Sequence, residues 1–265
     1  MIVDGRALAE VLKAEVRVEV EKLSSLTLAV IVNVSDAVTD SYVKIKKRVA
    51  GELGVTVVDC ASVEEALVAD GIILQLPLPP GMDVEREKNK IPIEKDVDVL
   101  SDAAFAAFSN GNHPAIPPVP AAMKYILEKN NTTIYGGKVA IVGYGRLVGK
   151  PAAVLFKQLG AEVRVADKGD DVGAITRDAD IVILGTGIAG VLKPDMVKDG
   201  VAILDAGASV DRRLPAGRQG KVVGDADPAC ADKASLFTPV PGGVGPVAIA
   251  EIFANLVALE RHFRP

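Results

Sequence analysis

A tyrosine and a lysine four residues apart are the first side chains in this sequence that could do chemistry together. Tyr42 and Lys46 lie in the stretch SYVKIKK, within an amphipathic segment. Residues i and i+4 project from one face of a helix, so a flat ring and an ammonium group would stand side by side. Such a pair suits a planar substrate that needs a proton donor or acceptor. The spacing alone is equally typical of a solvated basic helix face.

A glycine-rich turn is the second candidate. Gly143, Gly145 and Gly149 separate the apolar run VAIV from a helical segment. Backbone amides of such a turn, and the N-terminus of the helix after it, can receive phosphate oxygens. The spacing GxGxxxG is longer by one residue than the usual dinucleotide fingerprint. We predict a dinucleotide site here, although glycine-rich strand-to-helix turns also occur without a ligand.

Asp167 ends the next predicted strand, where an acidic side chain can accept hydrogen bonds from a ribose diol. A carboxylate repels a 2′-phosphate, so this residue favours NAD over NADP. Lys168 and Arg164 weaken the preference because either could pair with that phosphate. Asp167 could also simply begin a polar loop. The sequence therefore leaves the choice between NAD and NADP open.

Composition argues against several other kinds of function. The formal net charge of −5 is unlike the basic balance of a nucleic-acid-binding protein. The two cysteines, Cys60 and Cys230, are far apart and form no metal-ligand spacing. Two histidines, His113 and His262, are too few for a His-bound metal site or a serine-type triad. We expect no metal, a small-molecule ligand, and chemistry carried by Lys, Asp, Tyr or a cofactor.

The sequence also lacks the patterns of secreted and membrane proteins. Charges run through the first residues, unlike a signal peptide with an apolar middle. The longest uncharged run, 103–123, contains prolines, two asparagines and a histidine, which a membrane helix would not carry. We expect a cytoplasmic protein without a membrane partner.

The elements that must position these residues alternate between strand and helix. Apolar spacing predicts a first helix over about Arg6–Leu23, with Asp4 as its N-cap. The apolar runs TLAVIVNV, VTVVDC and GIILQLPLP then alternate with helical segments, which is typical of a parallel sheet covered by helices. The proline cluster HPAIPPVP, residues 113–120, predicts an inter-domain linker. A further helix is expected at about Ala121–Lys129.

The second half of the chain reads as a dinucleotide-binding fold. The stretch KVAIVGYGRLVGKPAAVLFKQLGAEVRVAD predicts strand, glycine turn, helix and strand. The runs ADIVILGTG and VAILDAG continue as strands, and a last helix is expected at about Pro246–Arg261. We therefore predict a two-domain α/β protein: an N-terminal α/β substrate domain over 1–119, joined by the C-terminal helix 246–265, and a Rossmann-like nucleotide-binding domain with a parallel sheet over 120–245.

Taken together, the motifs resemble those of the bifunctional methylenetetrahydrofolate dehydrogenase/cyclohydrolase family. They occur in order over nearly the whole chain as SYVKIKKRVAGELGV, GIILQLPLP, PIEKDVDVL, VGKP, GDAD and TPVPGGVGP. LQLPLP and PGGVGP are highly specific in combination. In this family a hydride passes from 5,10-methylenetetrahydrofolate to a nicotinamide, and water then opens the methenyl cation to 10-formyltetrahydrofolate.

The resemblance implies a role for each matching residue. Lys46 would be the central acid/base and electrostatic residue of the cyclohydrolase step, and Gln75 would hydrogen-bond Lys46 and hold it in place. Tyr42 would lie against the folate ring system. Asp98 would accept hydrogen bonds from the 2-amino and ring N–H edge of the pterin-like ring, a pairing that suits a carboxylate. A lysine in a partly desolvated cleft is readily tuned to share a proton near neutrality.

Further site residues follow from the same resemblance. The folate-binding set, expected in the cleft between the domains, also contains Leu76, Pro77, Pro241, Gly242 and Gly243. The set that would bind NADP or NAD consists of Gly143, Tyr144, Gly145, Arg146, Val148, Gly149, Asp167, Lys168, Thr186 and Gly187. The resemblance also implies a homodimer and a place in one-carbon metabolism and purine biosynthesis.

The chain departs from the family pattern at some of these positions. Val99 stands where a glycine usually follows the aspartate, and a β-branched residue restricts the local backbone. The turn Gly143-Tyr144-Gly145 replaces Gly-Arg-Ser and so lacks the arginine and serine that commonly meet an NADP phosphate. Arg146 could reach in from the next position. We expect retained folate chemistry with an altered cofactor preference or rate.

Other functions stay open at this point. A monofunctional dehydrogenase with a weak cyclohydrolase step would share every motif. A nucleotide-binding module without turnover would keep the fold, but the intact set of Lys46, Gln75 and Asp98 weighs against it. A two-domain dehydrogenase of amino or hydroxy acids fits the fold equally well but gives no reason for LQLPLP. The segment RRLPAGRQGK, Arg212–Lys221, is expected to be an exposed loop and has no functional assignment.

Overall fold

The computed structural model describes residues 1–23, 25–34, 37–210 and 222–264, and of residues 37, 38, 41, 42 and 210 the backbone alone. The Tyr42 side chain and the segment Arg212–Lys221 lie outside the described residues. The chain forms two compact units. We call Met1–Ala9 with Val119–Ala248 the glycine-turn unit, and Glu10–Pro118 with Ile249–Pro265 the Lys46 unit.

The Lys46 unit contains a three-stranded parallel sheet. Its strands are β1 (Thr27–Val32), β2 (Thr56–Cys60) and β3 (Gly71–Gln75). Strand β1 lies between the other two, and Val32 at its end is paired with Gln75. An uninterrupted apolar run such as TLAVIV is what a strand covered on both faces requires. The sheet therefore delivers Gln75 to the carboxyl end of its strands.

The helices of the first half of the chain are α1 (Gly5–Val20), α2 (Ala37–Leu53), α3 (Val63–Ala66), α4 (Val84–Lys88) and α5 (Asp102–Ser109). The predicted N-cap of α1 is confirmed, since Asp4 Oδ1 accepts hydrogen bonds from the backbone N–H groups of Arg6 (3.1 Å) and Ala7 (3.0 Å). The helix ends at Val20 rather than Leu23. Lys46 lies in the second half of α2, so the amphipathic segment that contains Lys46 is helical.

The second half of the chain forms a five-stranded parallel sheet. Its strands are β4 (Lys138–Val142), β5 (Glu162–Ala166), β6 (Ile181–Leu184), β7 (Ala202–Asp205) and β10 (Leu236–Phe237), and a short antiparallel pair, β8 (Ser209–Val210) and β9 (Val222–Val223), lies outside this sheet. The strand order is β10-β7-β6-β4-β5. Strand β4 is the point from which the chain adds strands in opposite directions across the sheet: β5 lies on one side of β4, and β6 lies on the other. Ligands of such sheets bind outside the carboxyl ends of the strands at this point.

The later helices are α6 (Pro118–Lys129), α7 (Gly149–Gln158), α8 (Val172–Thr176) and α9 (Val244–Phe263). Helix α6 begins at Pro118, so the last part of the predicted proline linker is instead the first turn of a helix. The fixed φ of proline suits that turn, where its missing N–H is not needed. Among the helices of the described residues, none is both long enough and apolar enough to cross a membrane.

Candidate active site

Lys46 and Gln75 meet at the end of strand β3. The Lys46 ammonium donates a hydrogen bond of 2.9 Å to Gln75 Oε1. Gln75 Nε2 donates in turn to the carbonyl of Leu76 at 2.8 Å, which orients the amide so that its oxygen faces the lysine. The next peptide bond, Leu76–Pro77, is cis. Gln75 therefore holds the ammonium with a neutral acceptor and leaves its charge uncompensated at that contact.

Asp98 shares the electrostatic environment of Lys46. Burial lowers the pKa of Lys46, and the charge of Asp98 partly opposes this shift. Burial raises the pKa of Asp98, Lys46 opposes that shift, and the neighbouring Asp96 adds to it. The ordinary pKa of a lysine is near 10.5, so lowering it brings the amine closer to sharing a proton at neutral pH. The two groups are thus partly buried and electrostatically coupled.

The residues before Asp98 in the motif PIEKDVDVL hold its loop. Lys95 Nζ donates to the carbonyls of Leu67 (2.6 Å) and Ala69 (2.7 Å), just after helix α3. The buried Asp96 carboxylate accepts hydrogen bonds from the backbone N–H groups of Leu100 (3.0 Å) and Ser101 (2.7 Å). Lys95 and Asp96 are therefore committed to the protein itself, and Asp96 ties the segment before Asp98 to the segment after it.

Asn255 of helix α9 fixes the same loop from another direction. Its Nδ2 donates to the carbonyls of Val97 (2.8 Å) and Ile116 (2.7 Å), and its Oδ1 accepts from the Ile116 N–H at 3.1 Å. The side chain is buried. Sequence analysis missed this residue, and its only signal is a lone asparagine in the apolar run of a long helix.

Val99 takes the backbone conformation that a glycine would take. Its φ is +53°, and its side chain is buried. Left-handed backbone is a genuine outlier for a β-branched residue. The substitution for the expected glycine therefore leaves the turn beside Asp98 in a glycine-like geometry, with the strain carried by Val99.

The glycine turn leads tightly into helix α7. Gly143 has a φ of +91°, and its N–H donates to the Ala166 carbonyl at 2.8 Å. A Cβ atom on Gly149 would overlap the Gly143 carbonyl oxygen. Val148, the N-cap of α7, makes no side-chain hydrogen bond to the first amides of the helix. Of the first amides of the helix, the Lys150 N–H donates to the Gly145 carbonyl at 3.0 Å and Pro151 has no N–H, so the close approach of the backbone is the feature that fits a phosphate ligand.

The turn carries further side chains of the predicted cofactor set. Tyr144, Gly145 and Arg146 are exposed. The Lys150 ammonium lies 5.8 Å from the centroid of the Tyr144 ring, within the range of a cation–π contact. Lys150 brings a cation to the turn that sequence analysis did not single out.

The end of strand β5 is acidic. Asp167 is exposed, and its N–H donates to Asp170 Oδ2 at 2.8 Å in a turn that also contains Lys168. Arg164, one of the cations that could have met a 2′-phosphate, is paired with Glu162 (3.1 Å) and Asp178 (3.4 Å). Its engagement with two carboxylates weakens that alternative.

Thr186 and Gly187 follow strand β6 and are held by the buried carboxylate of Asp225. Sequence analysis quoted Asp225 only as part of the motif GDAD and gave it no role. Its contacts join residues 39 positions apart, so no local pattern could have revealed them.

The segment PGGVGP lies in the glycine-turn unit against the start of helix α1. Gly242 accepts a hydrogen bond from the Gly5 N–H at 3.0 Å, and Gly243 donates to Pro239 at 2.8 Å. The peptide bond before Pro241 is cis. These contacts show a tight structural loop.

Within the described ranges, no group of three His, Cys, Asp or Glu side chains is placed to hold a metal ion. The His113 ring hydrogen-bonds the backbone of Ala115 at 3.1 Å. Cys60 and Cys230 are free thiols.

Comparison with known proteins gives matches over both halves of the chain. A family model described as the catalytic domain of tetrahydrofolate dehydrogenase/cyclohydrolase matches residues 3–98. The model of the NAD(P)-binding domain of the same family matches residues 117–263. The bifunctional protein FolD of Roseiflexus castenholzii is 35% identical, over 98% of this chain and 96% of its own length.

Solved structures show the same architecture. The bifunctional FolD enzyme of Campylobacter jejuni superposes with a TM-score of 0.89 at 30% identity, covering 99% of each chain. The Trypanosoma brucei enzyme, solved with NADP and an inhibitor, gives a TM-score of 0.89 at 28% identity, covering 100% of this chain and 99% of its own. The predicted two-domain α/β fold with a Rossmann-like domain is confirmed.

The strain at Val99 predicts that a glycine variant will be more stable than an alanine variant, which is the reverse of the usual order. Val99→Gly and Val99→Ala both remove the buried side chain, but only glycine adopts positive φ freely. We expect the Gly variant to be more stable than the Ala variant by roughly 0.5–1 kcal/mol, measured as the free energy of unfolding in urea. Val97 is buried and has no positive φ, so its Gly and Ala variants serve as the control with the usual order, Ala above Gly. A Val99→Ala protein as stable as the Val99→Gly protein would contradict the left-handed backbone.

Proposed function

Because this chain belongs to the tetrahydrofolate dehydrogenase/cyclohydrolase family, we propose an assignment of that family's two reactions to its residues. The enzyme oxidises 5,10-methylenetetrahydrofolate to 5,10-methenyltetrahydrofolate with NAD or NADP, and hydrolyses the product to 10-formyltetrahydrofolate. The single observation that carries the residue assignment is the hydrogen bond between Lys46 and Gln75 within a buried, charged environment.

Lys46 is the acid/base residue of the hydrolytic step. Water adds to the methenyl carbon and must lose a proton, which a neutral amine can take. The ring opens when the bond from that carbon to N5 breaks and the hydroxyl of the adduct becomes the formyl C=O. The ammonium of Lys46 returns its proton to N5, and the hydroxyl proton is released to solvent, so that the reaction yields one proton overall. Burial lowers the pKa of Lys46 and so raises the fraction of neutral amine at physiological pH. Gln75 keeps the amine in position through both stages without adding a charge.

Asp98 orients the folate. A carboxylate can accept two parallel hydrogen bonds from the 2-amino group and ring N–H of the pterin-like ring. Lys95, Asp96 and Asn255 fix its loop. A fixed loop supports this role, because two parallel hydrogen bonds require a defined orientation of the Asp98 carboxylate. We assign Tyr42, Leu76 and Pro77, with Pro241, Gly242 and Gly243, to the remaining folate contacts by family resemblance.

The dinucleotide binds at the carboxyl edge of the five-stranded sheet. The glycine turn of Gly143, Gly145 and Gly149, which leads into α7, receives the pyrophosphate. Asp167 at the end of β5 receives the adenosine ribose, and Thr186 with Gly187 lies on the other side of β4, toward the nicotinamide. The bound nicotinamide supplies the hydride acceptor. We assign Tyr144, Arg146, Val148 and Lys168 to the same set.

We also propose that the enzyme is a cytoplasmic homodimer, which acts on small molecules and supplies one-carbon units to purine biosynthesis. Free Cys60 and Cys230 are consistent with a reducing compartment. Strand β5 lies at an edge of its sheet, and an edge strand is a natural surface for pairing with a second copy.

Replacement of Lys46 by methionine tests the hydrolytic assignment. Lys46→Met keeps the shape of the side chain but removes the ammonium, so the decay of added methenyltetrahydrofolate should slow by about 10²- to 10⁴-fold. Lys47→Met is the matched control, because Lys47 lies on the same helix and pairs with Asp59 at 2.6 Å on the surface. An unchanged decay rate in Lys46→Met would contradict the assignment. A wild-type rate no faster than the background would indicate a monofunctional dehydrogenase instead.

The acidic end of β5 predicts a preference for NAD. We expect kcat/KM to be higher with NAD⁺ than with NADP⁺, and Asp167→Ser to shift that ratio toward NADP⁺ by about tenfold, equivalent to about 1.4 kcal/mol. Asp199→Ser is the control, since Asp199 has a highly exposed side chain in the same unit. A wild-type preference for NADP⁺ would move the assignment to a cation near the turn, such as Arg146 or Lys168.

A further inference from the structure

Asp225 is fully buried, yet all the described hydrogen bonds of its carboxylate go to one short loop. Its Oδ2 accepts from the Thr186 N–H at 2.6 Å, the Thr186 hydroxyl at 2.8 Å and the Gly187 N–H at 3.2 Å. Asp225 has an exposed fraction of 0%. A carboxylate removed from water needs such donors, because an unpaired buried charge is strongly unfavourable. The loop therefore pairs one oxygen of Asp225, whose other oxygen, Oδ1, is buried without a hydrogen-bond partner among the described residues, and Asp225 fixes the backbone of the loop.

The Thr186 hydroxyl completes the turn. It donates to Asp225 and accepts a hydrogen bond from the Ile188 N–H at 3.0 Å. Gly187 has a φ of +70°, and the apolar Ile188 side chain is 60% exposed. The turn thus directs the backbone of residues 186–188 and one apolar side chain toward solvent, instead of into the core.

A second buried carboxylate holds Asp225 in place. Asp205 at the end of β7 accepts hydrogen bonds from the N–H groups of Gly207 (2.9 Å) and Ala226 (2.8 Å). Each carboxylate fills the space beside a glycine: a Cβ on Gly207 would overlap the Asp225 carboxylate, and a Cβ on Gly224 would overlap that of Asp205. The segments DAG at 205–207 and GDA at 224–226 therefore interlock.

Keeping two carboxylates together in the interior is unfavourable for folding. Burial raises the pKa of Asp205 to about 6, and the Asp225 charge contributes to that shift. Buried ionic groups of this kind are often less stabilising than apolar residues of the same volume. Asp205 lies at the carboxyl end of a parallel strand, where ligands of such sheets bind, which points to a positional role at a ligand site.

The loop that Asp225 holds lies beside the glycine turn. The Gly185 N–H donates to the carbonyl of Val142, the last residue of β4, at 3.0 Å. The Ala206 N–H donates to the Leu184 carbonyl, also at 3.0 Å, which continues the edge toward Asp205. The adenosine ribose is proposed to bind at the end of β5. Strand β6 lies on the opposite side of β4, so we expect residues 186–187, which follow β6, to face the nicotinamide half of the dinucleotide.

We propose that Asp225 is a positioning residue for the nicotinamide half of the dinucleotide, which it supports by fixing the backbone of Thr186 and Gly187. Asp205 acts one step further away, because it fixes the segment that carries Asp225. Neither carboxylate touches the dinucleotide. The inference rests on the proposed cofactor site at the glycine turn and adds the residues that shape one side of it.

The test compares Asp225→Ala with Asp225→Asn. The Ala variant leaves the Thr186 and Gly187 amides without their acceptor, so we expect the KM for the dinucleotide to rise about tenfold or more. The Asn variant keeps an acceptor oxygen and should stay within about threefold of the wild type. The hydrolysis of added methenyltetrahydrofolate needs no dinucleotide, so its rate should stay within about twofold in both variants.

Asp227→Asn is the matched control, two positions away in the same motif. Asp227 pairs with Lys193 at 3.2 Å near the surface, so its variant should not alter the dinucleotide KM. Thr186→Val, which removes the hydroxyl that donates to Asp225, replaces Asp225→Ala if that variant does not fold, and should raise the same KM.

Three results would overturn the proposal: an unchanged dinucleotide KM in Asp225→Ala (or in Thr186→Val, should the Ala variant not fold), equal losses of oxidation and hydrolysis, or no recovery in Asp225→Asn. Calorimetric binding of NADH and NADPH to the wild type and each variant separates this inference from the proposed function. A wild type that binds either nucleotide without oxidising the folate would contradict the function alone. The ratio of variant to wild-type Kd would still test Asp225.

Discussion

The removal of the Lys46 ammonium from water is the constraint on which the rest of its unit depends. A buried ammonium is ordinarily neutralised by a bonded carboxylate, but here its hydrogen bond goes to the neutral amide of Gln75. The nearby charge of Asp98 opposes the effect of burial without cancelling it. A lysine held this way keeps a lowered pKa, and a catalyst that must both take and return a proton needs that property.

Maintaining this arrangement requires residues whose polar groups are bonded to the protein itself. Asp98 can act on a ligand only if its loop is fixed, and Lys95, Asp96 and Asn255 fix it through contacts to backbone groups. The glycine-turn unit uses the same device, since Asp205 holds the segment of Asp225 and Asp225 holds the loop after β6. In both units, buried polar side chains hold short loops through hydrogen bonds to backbone groups.

The sequence predicted the features that depend on local pattern. The alternation of apolar runs and helices, the Asp4 cap and the glycine turn each follow from neighbouring residues. The start of α6 was placed too late, because Pro118 reads as a linker residue until a helix is known to follow. The contacts of Asn255 and Asp225 join distant segments, and the left-handed φ of Val99 opposes the preference of its residue type. Tertiary packing decides such features.

The pKa of Lys46 is the most direct test of this account. It can be measured by NMR titration of protein with ¹³Cε-labelled lysine, with Lys46→Arg used to assign the signal. We expect a value below the ordinary 10.5, and a further decrease in Asp98→Asn, because that variant removes the charge that opposes the shift. A Lys46 that titrates at or above 10.5, or that is unaffected by Asp98→Asn, would contradict the lowered pKa of Lys46 and its electrostatic coupling to Asp98.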